Sequence, residues 1–332
     1  GMTVLSEGLE RMAGGKLEVA LRKLTSNRLK GLALGAGVTA AIQSSSAVTV
    51  MLVGLVNSGF MDFGQTIGII MGSNIGTTMT AWILTLVGVE SDNAVMSMLK
   101  PDNFSLVFAF VGIVMIMGAR KQKPKDIGSI LVGFAILMYG MKLMSGAVKP
   151  LSSDPNFVSL FTAFQNPLLG VLAGLIVTAI IQSSSASVGI LQALALTGVI
   201  SYGAAIPIIM GQNIGTCVTA LISSIGVSRN AKKVAVVHIT FNLIGTAVCL
   251  AIYCISDAIF HFDFVNESIG VVGIAVIHTL FNVFTTIILL PFTKQLEKFA
   301  NLVLPQKKLD PKDDIKHLDE RLLATPAIAI GE

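Results

Sequence analysis

Charged side chains are scarce in this sequence. Asp, Glu, Lys and Arg make up only 13% of the 332 residues, about half the share in a typical soluble domain. Eight long apolar stretches hold almost none, since their only charged members are Lys142 and, at the end of one stretch, Asp257. These stretches are 31–57, 64–89, 104–119, 127–148, 167–200, 204–227, 234–257 and 268–293.

The length and continuity of these stretches set the fold class. Each is long enough to reach or cross a hydrocarbon core of roughly 30 Å. The runs are continuous, whereas the strands of a membrane barrel alternate between apolar and polar residues. The sequence therefore predicts an all-α polytopic protein of the cell membrane, with the lipid bilayer as its surroundings.

Cysteine and excess positive charge are also limited. Cys217, Cys249 and Cys254 are the only cysteines, and all three fall inside apolar stretches. Small buried thiols are ordinary there, so no disulfide framework is predicted. The net charge of +4 reflects basic loops, which orient a membrane protein. We infer no nucleic-acid partner from it.

A long segment of the chain occurs twice. Residues 39–80 align without a gap with residues 178–219 and match at 22 positions. The best-preserved parts are QSSSA, at 43–47 and 182–186, and the cores GSNIGT and GQNIGT, at 72–77 and 211–216. Buried polar groups in apolar segments are unfavourable without partners. The repeat therefore predicts a doubled binding site.

The repeat also divides the chain. Gly1 faces Gly140, which lies well inside the helix expected from residue 127, so the first copy is predicted to begin in mid-helix with its first helix truncated. The expected units are repeat 1 at 1–119, a connector with the start of the next helix at 120–139, repeat 2 at 140–258, a final transmembrane helix at 259–299 and a cytoplasmic tail at 300–332.

Basic residues orient the two copies in opposite directions. Residues 11–30 carry six Lys and Arg, whereas their counterparts 150–169 carry none. At the next loop the bias reverses, because 90–94 has no basic residue and 229–233 has three. Lys and Arg near membrane segments are retained on the cytoplasmic side. We therefore predict an inverted repeat. Residues 6–30 are interpreted as a helix end and an amphipathic stretch on the cytoplasmic face.

In each copy, this orientation leaves two neighbouring apolar segments but only one net crossing of the membrane. One of the two segments must therefore enter and leave the membrane on the same side. On geometric preference we assign 31–57, bent at 43–46, and 167–200, bent at 182–185. Arms of about 12 residues would span roughly 18 Å, enough to reach the midplane but not to cross. The following spanning helices are predicted to be broken at Gly72–Thr77 and Gly211–Thr216. Inverted repeats that meet at such breaks are typical of secondary transporters.

The predicted site is rich in neutral oxygen atoms. Helix N-termini suit anions, phosphate above all, and amide and hydroxyl oxygens suit a hard cation such as sodium. No Lys or Arg accompanies the paired motifs, so a bound anion would need a co-bound cation, which would couple their transport. The absence of a carboxylate from the embedded motifs argues against a proton relay.

The paired QSSSA and G-x-N-I-G-T motifs resemble those of the sodium/phosphate cotransporter family, the bacterial relatives of type II sodium-dependent phosphate transporters. The resemblance covers residues 1–300. It implies inorganic phosphate as the substrate and sodium as the coupling ion, with no other cofactor. It also implies that the QSSS turns of both halves form the centre of the site.

The resemblance assigns ligands residue by residue. The phosphate ligands are Gln43, Ser44, Ser45, Ser46, Gln182, Ser183, Ser184 and Ser185. The sodium ligands are Gln43, Ser46, Asn74, Thr77, Thr78, Gln182, Ser185, Asn213 and Thr216. Asn103 and Asn242 are candidates for side chains that contact these ligands without binding sodium themselves. Thr78 departs from strict repetition because its counterpart is Cys217, so the two cation positions need not be equivalent. Residues 318–330 resemble the opening of a PhoU-like helical domain.

Other functional classes remain open from the residues alone. Re-entrant pairs also build anion or cation channels, and a sodium-coupled transporter could carry another small oxyanion. A single QSSSA could serve only close helix packing. A serine enzyme is not predicted, because no embedded motif supplies a base and the G-x-S-x-G pattern is missing. The sequence leaves the oligomeric state open, with a homodimer as one possibility.

Overall fold

The computed structural model describes residues 1–13, 19, 21, 27–88 and 101–305. Over these residues the fold is all-α, which confirms the predicted class. The helices are α1 Met2–Ala13, α2 Arg28–Ile42, α3 Ser45–Asn57, α4 Phe63–Leu84, α5 Pro101–Gly118, α6 Gln122–Val148, α7 Pro155–Ala163, α8 Pro167–Ile181, α9 Ser184–Ala195, α10 Tyr202–Gly215, α11 Cys217–Ser223, α12 Arg229–Phe260, α13 Val271–Leu289 and α14 Thr293–Val303. Short 3₁₀ turns lie at Thr85–Gly88, Lys149–Ser153, Asp263–Asn266 and Leu290–Phe292.

Within the described residues, five helical stretches are long and apolar enough to cross a membrane. They are Phe63–Leu84, Gln122–Val148, Tyr202–Ser223, Arg229–Phe260 and Val271–Val303. The arms on either side of each QSSS turn are shorter, at 15 and 13 residues in the first copy and 15 and 12 in the second. These lengths agree with a multi-pass protein in which the short arms reach into the bilayer without crossing it.

The predicted bends occur at the same residue pair in both copies. Gln43 caps the C-terminus of α2, and Gln182 caps the C-terminus of α8. Each glutamine has φ 57°, in the left-handed region. Non-glycine residues adopt this conformation rarely and at a cost in free energy. The next helix then begins after a serine cap, because Ser44 Oγ accepts from Ala47 N and Ser183 Oγ accepts from Ala186 N, both at 3.2 Å.

Glycines fix the direction of each hairpin. A Cβ on Gly68 would lie 2.6 Å from Arg28 O, and a Cβ on Gly72 would overlap Leu32 O. The paired residues ascend together along both helices, so α2 and α4 pack in parallel, and the intervening α3 must return in the opposite direction. Gly211 against Val171 shows the same packing of α10 on α8. The hairpin shape is confirmed, and its depth in a bilayer stays a prediction.

The predicted helix breaks are wrong for the first copy and nearly absent in the second. The α4 helix is continuous through Gly72–Thr77. Thr216 is the single residue between α10 and α11, and its backbone angles of φ −59° and ψ −27° are still those of a helix. The physical reason is that the glycines of these cores give close packing rather than a break. The polar side chains also bond back along their own helix, as in the 2.9 Å bond from Thr77 Oγ1 to Ser73 O.

Contacts at the two ends of α4 locate it among the later helices. At its start, the Phe63 ring lies 5.9 Å from Lys233 Nζ near the beginning of α12. At its other end, Gln192 Nε2 donates to both Ala81 O and Val271 O, each at 3.0 Å. The end of α4 therefore lies beside the start of α13. An apolar core of α2, α3, α4 and α12 side chains fills the region around the first hairpin.

Candidate functional site

The two QSSS turns line one cavity of about 230 Å³. All eight predicted phosphate ligands, Gln43–Ser46 and Gln182–Ser185, are on its wall. The two motifs are 139 positions apart in the sequence, and the fold brings them together. Their arrangement around one cavity agrees with a doubled site, while their duty as ligands stays a prediction.

The three serines of each turn have different partners. The first serine caps the following helix, as described for Ser44 and Ser183. The second serine, Ser45 or Ser184, is about 5% exposed, and no described residue hydrogen bonds to its hydroxyl. The third serine reaches the other copy: Ser185 Oγ donates to Thr80 Oγ1 at 3.2 Å, and Ser46 Oγ accepts from Thr219 Oγ1 at 3.3 Å. The second serine is therefore the one whose hydroxyl neither donates to nor accepts from a described residue, while the hydroxyl oxygens of Ser44, Ser46 and Ser183 act only as acceptors and keep their hydrogens for a ligand.

Two helix N-termini contribute partial positive charge at the base of the cavity. Because α3 begins at Ser45 and α9 begins at Ser184, two helix N-termini face the cavity through the residues that line it. Such ends carry roughly half a positive charge and unpaired N–H groups. Among the described residues that line the cavity there is no Lys or Arg. Positive potential at the base therefore comes from backbone dipoles and not from side chains.

Thr80 and Thr219 are functional candidates that the sequence reasoning missed. Each lies three residues after the threonine of its NIGT core, and the two are equivalent at the repeat offset. Each contacts the third serine of the opposite copy, so the repeat relation holds in three dimensions across the site. The signal was present in the alignment, since this identical pair closes the aligned segment.

The two glutamines are equivalent in sequence but not in surroundings. Gln43 is 6% exposed; its Oε1 accepts from Thr80 Oγ1 at 2.8 Å and its Nε2 donates to Ala40 O. Gln182 is exposed, and no described residue hydrogen bonds to its side chain. Thr219 Oγ1 lies 2.9 Å from Thr216 O of its own helix as well as near Ser46, and it has no hydrogen bond with Gln182. The half of the site around Gln43 is closed, and the half around Gln182 is open.

The predicted sodium ligands of the NIGT cores lie away from this cavity. Asn74, Thr77, Thr78, Asn213 and Thr216 are all at most 5% exposed, and none lines the cavity. Their amide and hydroxyl hydrogens are directed to carbonyl groups of their own helices. Their oxygen lone pairs remain for other partners, so the packing neither forms nor excludes cation sites.

Asn242 lies against the residue that breaks the repeat. Its side chain is fully buried, and its Nδ2 donates to His238 O at 2.9 Å and lies 3.4 Å from Cys217 Sγ. The Asn242 Oδ1 has no partner among the described residues. The side chain of its counterpart in the first copy, Asn103, lies outside the described residues.

The first helix forms a further wall of the cavity. Met2, Thr3, Ser6, Glu7 and Glu10 of α1 line it, and Ser6 Oγ donates to Gln43 O at 3.3 Å. Arg11 Nε lies 3.5 Å from Asp126 Oδ1 of α6, which holds α1 in place. A helix end in this region agrees with α1, which ends at Ala13, and the cytoplasmic location of residues 6–30 stays a prediction. Carboxylates do face the site.

Comparisons with known proteins agree with this geometry. A family model described as Na+/Pi-cotransporter matches residues 1–146 and again 136–273. The "Uncharacterized protein YqeW" of Bacillus subtilis (strain 168) is 29% identical over 319 residues, covering 92% of this chain and 95% of that protein. The "Putative inorganic phosphate export protein YjbB" of Escherichia coli (strain K12) is 24% identical over the whole chain, which spans 58% of that relative's length.

A mammalian relative matches over a shorter region. The "Sodium-dependent phosphate transport protein 2B" of Homo sapiens is 38% identical over 103 residues, 29% of this chain and 15% of that protein. No solved structure matches the chain significantly. The two matches of the family model together cover residues 1–273, which include both QSSS motifs.

Proposed function

Because this chain belongs to the Na+/Pi-cotransporter family, we propose that it is a secondary transporter that moves inorganic phosphate with sodium across the cell membrane by alternating access. The observation that carries the proposal is the single cavity lined by both QSSS turns. A doubled motif at the interface of two repeats is the arrangement on which alternating access depends.

Phosphate would bind at the base of the cavity. The free hydroxyls of Ser45 and Ser184 would donate to its oxygens, and the N-termini of α3 and α9 would offset part of its charge. The exposed amide of Gln182 can donate as well. The remaining members of the two turns hold these groups in position, since Ser44 and Ser183 cap the helices and Ser46 and Ser185 bind the opposite copy.

Sodium would supply the charge that the cavity wall lacks. A phosphate dianion is not neutralised by two helix ends, and no described Lys or Arg lines the cavity. A cation bound nearby would lower the free energy of phosphate binding, and phosphate would do the same for the cation. We retain as proposed sodium ligands the oxygens of Gln43, Ser46, Asn74, Thr77, Thr78, Gln182, Ser185, Asn213 and Thr216.

The contacts at the helix ends support inverted repeats. The start of α4 lies beside the start of α12, which follows the end of α11. The end of α4 lies beside Val271, and the neighbouring Gly273 packs near Tyr202 at the start of α10. The α4 helix and the α10–α11 pair would therefore run in opposite directions, as the basic loops predict.

The unequal halves of the site support alternating access. Thr80 joins Gln43 of one copy to Ser185 of the other, whereas Thr219 contacts only Ser46 across the interface. In an inverted repeat, exchanging these two environments would close the open half and open the closed half. The structure would then correspond to one of two orientations of the site.

Phosphate uptake into proteoliposomes tests the function. We expect labelled phosphate to accumulate only with an inward sodium gradient, since each tenfold gradient supplies roughly 1.4 kcal/mol per ion. Reversing the gradient should drive efflux, which addresses the export named for YjbB. Equal uptake with potassium would reject sodium coupling. A rate that rises without saturation would favour a channel.

Cysteine labelling tests the inverted arrangement. We expect Ser58→Cys and Thr197→Cys, equivalent positions after the two hairpins, to react with a membrane-impermeant maleimide from opposite sides. The background would be a transport-active variant without Cys217, Cys249 and Cys254. Labelling of both positions from the same side would refute inversion.

The other proposals follow from family and composition. Membership of a cotransporter family supports a non-enzymatic role. The division into two repeats with a final helix, the cytoplasmic tail and a homodimer remain proposals. Residues 306–332, including the PhoU-like resemblance, lie outside the described residues.

A further inference from the structure

The α1 helix presents two carboxylates to the cavity. Glu7 and Glu10 are three residues apart, so they lie on one face of the helix, and both line the cavity together with Ser6. Both glutamates are exposed, whereas Ser45 and Ser184 are buried, which places the glutamates toward the open side. Neither carboxylate has a hydrogen bond or ion pair with another described residue.

A second observation marks this cavity as a ligand site. Ser45 and Ser184 are residues more than nine-tenths buried, they line the same cavity, and their hydroxyls have no partner among the described residues. Buried polar groups are normally hydrogen bonded. Their unused bonding capacity points to a ligand within the cavity, beneath the two carboxylates.

The charges of these groups restrict what can occupy the cavity. The two carboxylates and the base of the cavity border the same space of about 230 Å³, in which like charges repel each other. Phosphate at the base would therefore be repelled by Glu7 and Glu10. The repulsion becomes attraction if a cation lies between the carboxylates and the phosphate oxygens.

We propose that Glu7 and Glu10 bind a hard cation at the open side of the cavity, next to the phosphate. Carboxylate and hydroxyl oxygens are the ligands that such cations prefer, and Ser6 adds a hydroxyl on the same helix face. Sodium and divalent ions share this preference for oxygen ligands, and the experiment below separates the two. The adjoining phosphate rests on the proposed function, but cation binding does not require it.

The cation site occurs once per chain. At the repeat offset, Glu7 faces Gly146 and Glu10 faces Lys149, so the second copy cannot form an equivalent pair of carboxylates. The QSSS turns are duplicated, whereas this site is not. We therefore expect a cation stoichiometry that includes one ion bound by α1.

Direct binding to the purified full chain tests the inference without phosphate. Binding of labelled sodium and of labelled calcium would be measured separately for the wild type, Glu7→Gln, Glu10→Gln and the double variant. We expect the concentration for half-saturation by one of the two ions to rise about tenfold in each single variant, or roughly 1.4 kcal/mol, and further in the double variant. The ion that shows the shift is the ligand.

A matched substitution controls for charge and folding. Glu267→Gln removes an exposed carboxylate that does not line the cavity, and we expect unchanged binding of both ions. Thermal unfolding would confirm that the variants fold, and a single variant would replace the double if the double does not. Unchanged binding of both ions in folded Glu7→Gln and Glu10→Gln would overturn the inference, as would a change only in the pH profile of transport.

The two proposals fail in distinguishable ways. If the wild type takes up phosphate with sodium but the glutamate variants bind both cations normally, only the cation site is wrong. If the wild type transports no phosphate yet loses cation binding in the variants, the cation site stands and the proposed function fails.

Discussion

We expect phosphate uptake to fall at least about a hundredfold when Ser45 and Ser184 are both replaced by alanine, because under the proposed function two hydrogen bonds to a charged ligand would be lost at about 1.5–3 kcal/mol each. These are the cavity serines whose hydroxyls have no described partner. The single variants Ser45→Ala and Ser184→Ala should lose about tenfold or more each. Initial rates of uptake in proteoliposomes and phosphate binding to the purified protein measure both effects.

The control for this experiment is a serine outside the cavity. Ser58 Oγ donates only to carbonyl groups of its own helix, Gly54 O at 3.0 Å and Leu55 O at 3.2 Å. Ser58→Ala should therefore leave uptake near the wild-type rate. Full uptake by the folded Ser45→Ala/Ser184→Ala variant would move phosphate to another part of the molecule.

We expect folded protein to be largely lost when Gly72 or Gly211 is replaced by alanine. A Cβ at Gly72 would overlap Leu32 O, and a Cβ at Gly211 would overlap Val171 O. Both obstacles are backbone atoms, which cannot move aside as a flexible side chain can. Overpacking of this kind costs about 1–3 kcal/mol or more. The yield of monodisperse protein and the midpoint of thermal unfolding in detergent measure the effect.

Gly37 supplies the matched control for this effect. It lies in α2, and a Cβ there would meet no atom within 4 Å. Gly37→Ala should therefore be neutral or stabilise the helix by up to about 1 kcal/mol. If Gly72→Ala unfolds at the wild-type temperature, the close parallel packing of α2 on α4 is refuted.

The hairpins could be predicted because their signal is local. A polar QSSS group within an apolar run cannot be left unpaired in lipid, and the serine after each glutamine is a good helix cap. The sequence also shows that the motif is doubled. These facts identify a bend and a polar cavity without knowledge of any distant contact.

The helix breaks were predicted wrongly because glycine has two uses. Glycine can adopt special backbone angles, and it can also let two helices approach closely. Gly68, Gly72 and Gly76 recur at four-residue spacing, which places them on one face of a helix. This spacing indicates a packing surface, and it was the evidence that could have decided between the two uses.

The role of α1 could not be obtained from the sequence. Glu7 and Glu10 belong to a short helix with several charged residues, a composition typical of a surface segment. Their approach to the QSSS turns depends on the packing of α1 against α6 and on the contact of Ser6 with Gln43. Such contacts between distant segments have no local pattern. Thr80 and Thr219, by contrast, were visible as an identical pair in the alignment.

The different surroundings of Gln43 and Gln182 have a consequence for inhibitors. Under the proposed function, a compound that competes with phosphate would reach the exposed side chain of Gln182, whereas Gln43 is shielded by Thr80 and Ala40. A bulky compound of this kind would act from a single aqueous compartment. The two halves of the site would then respond differently to inhibitors, although their QSSSA motifs are identical in sequence.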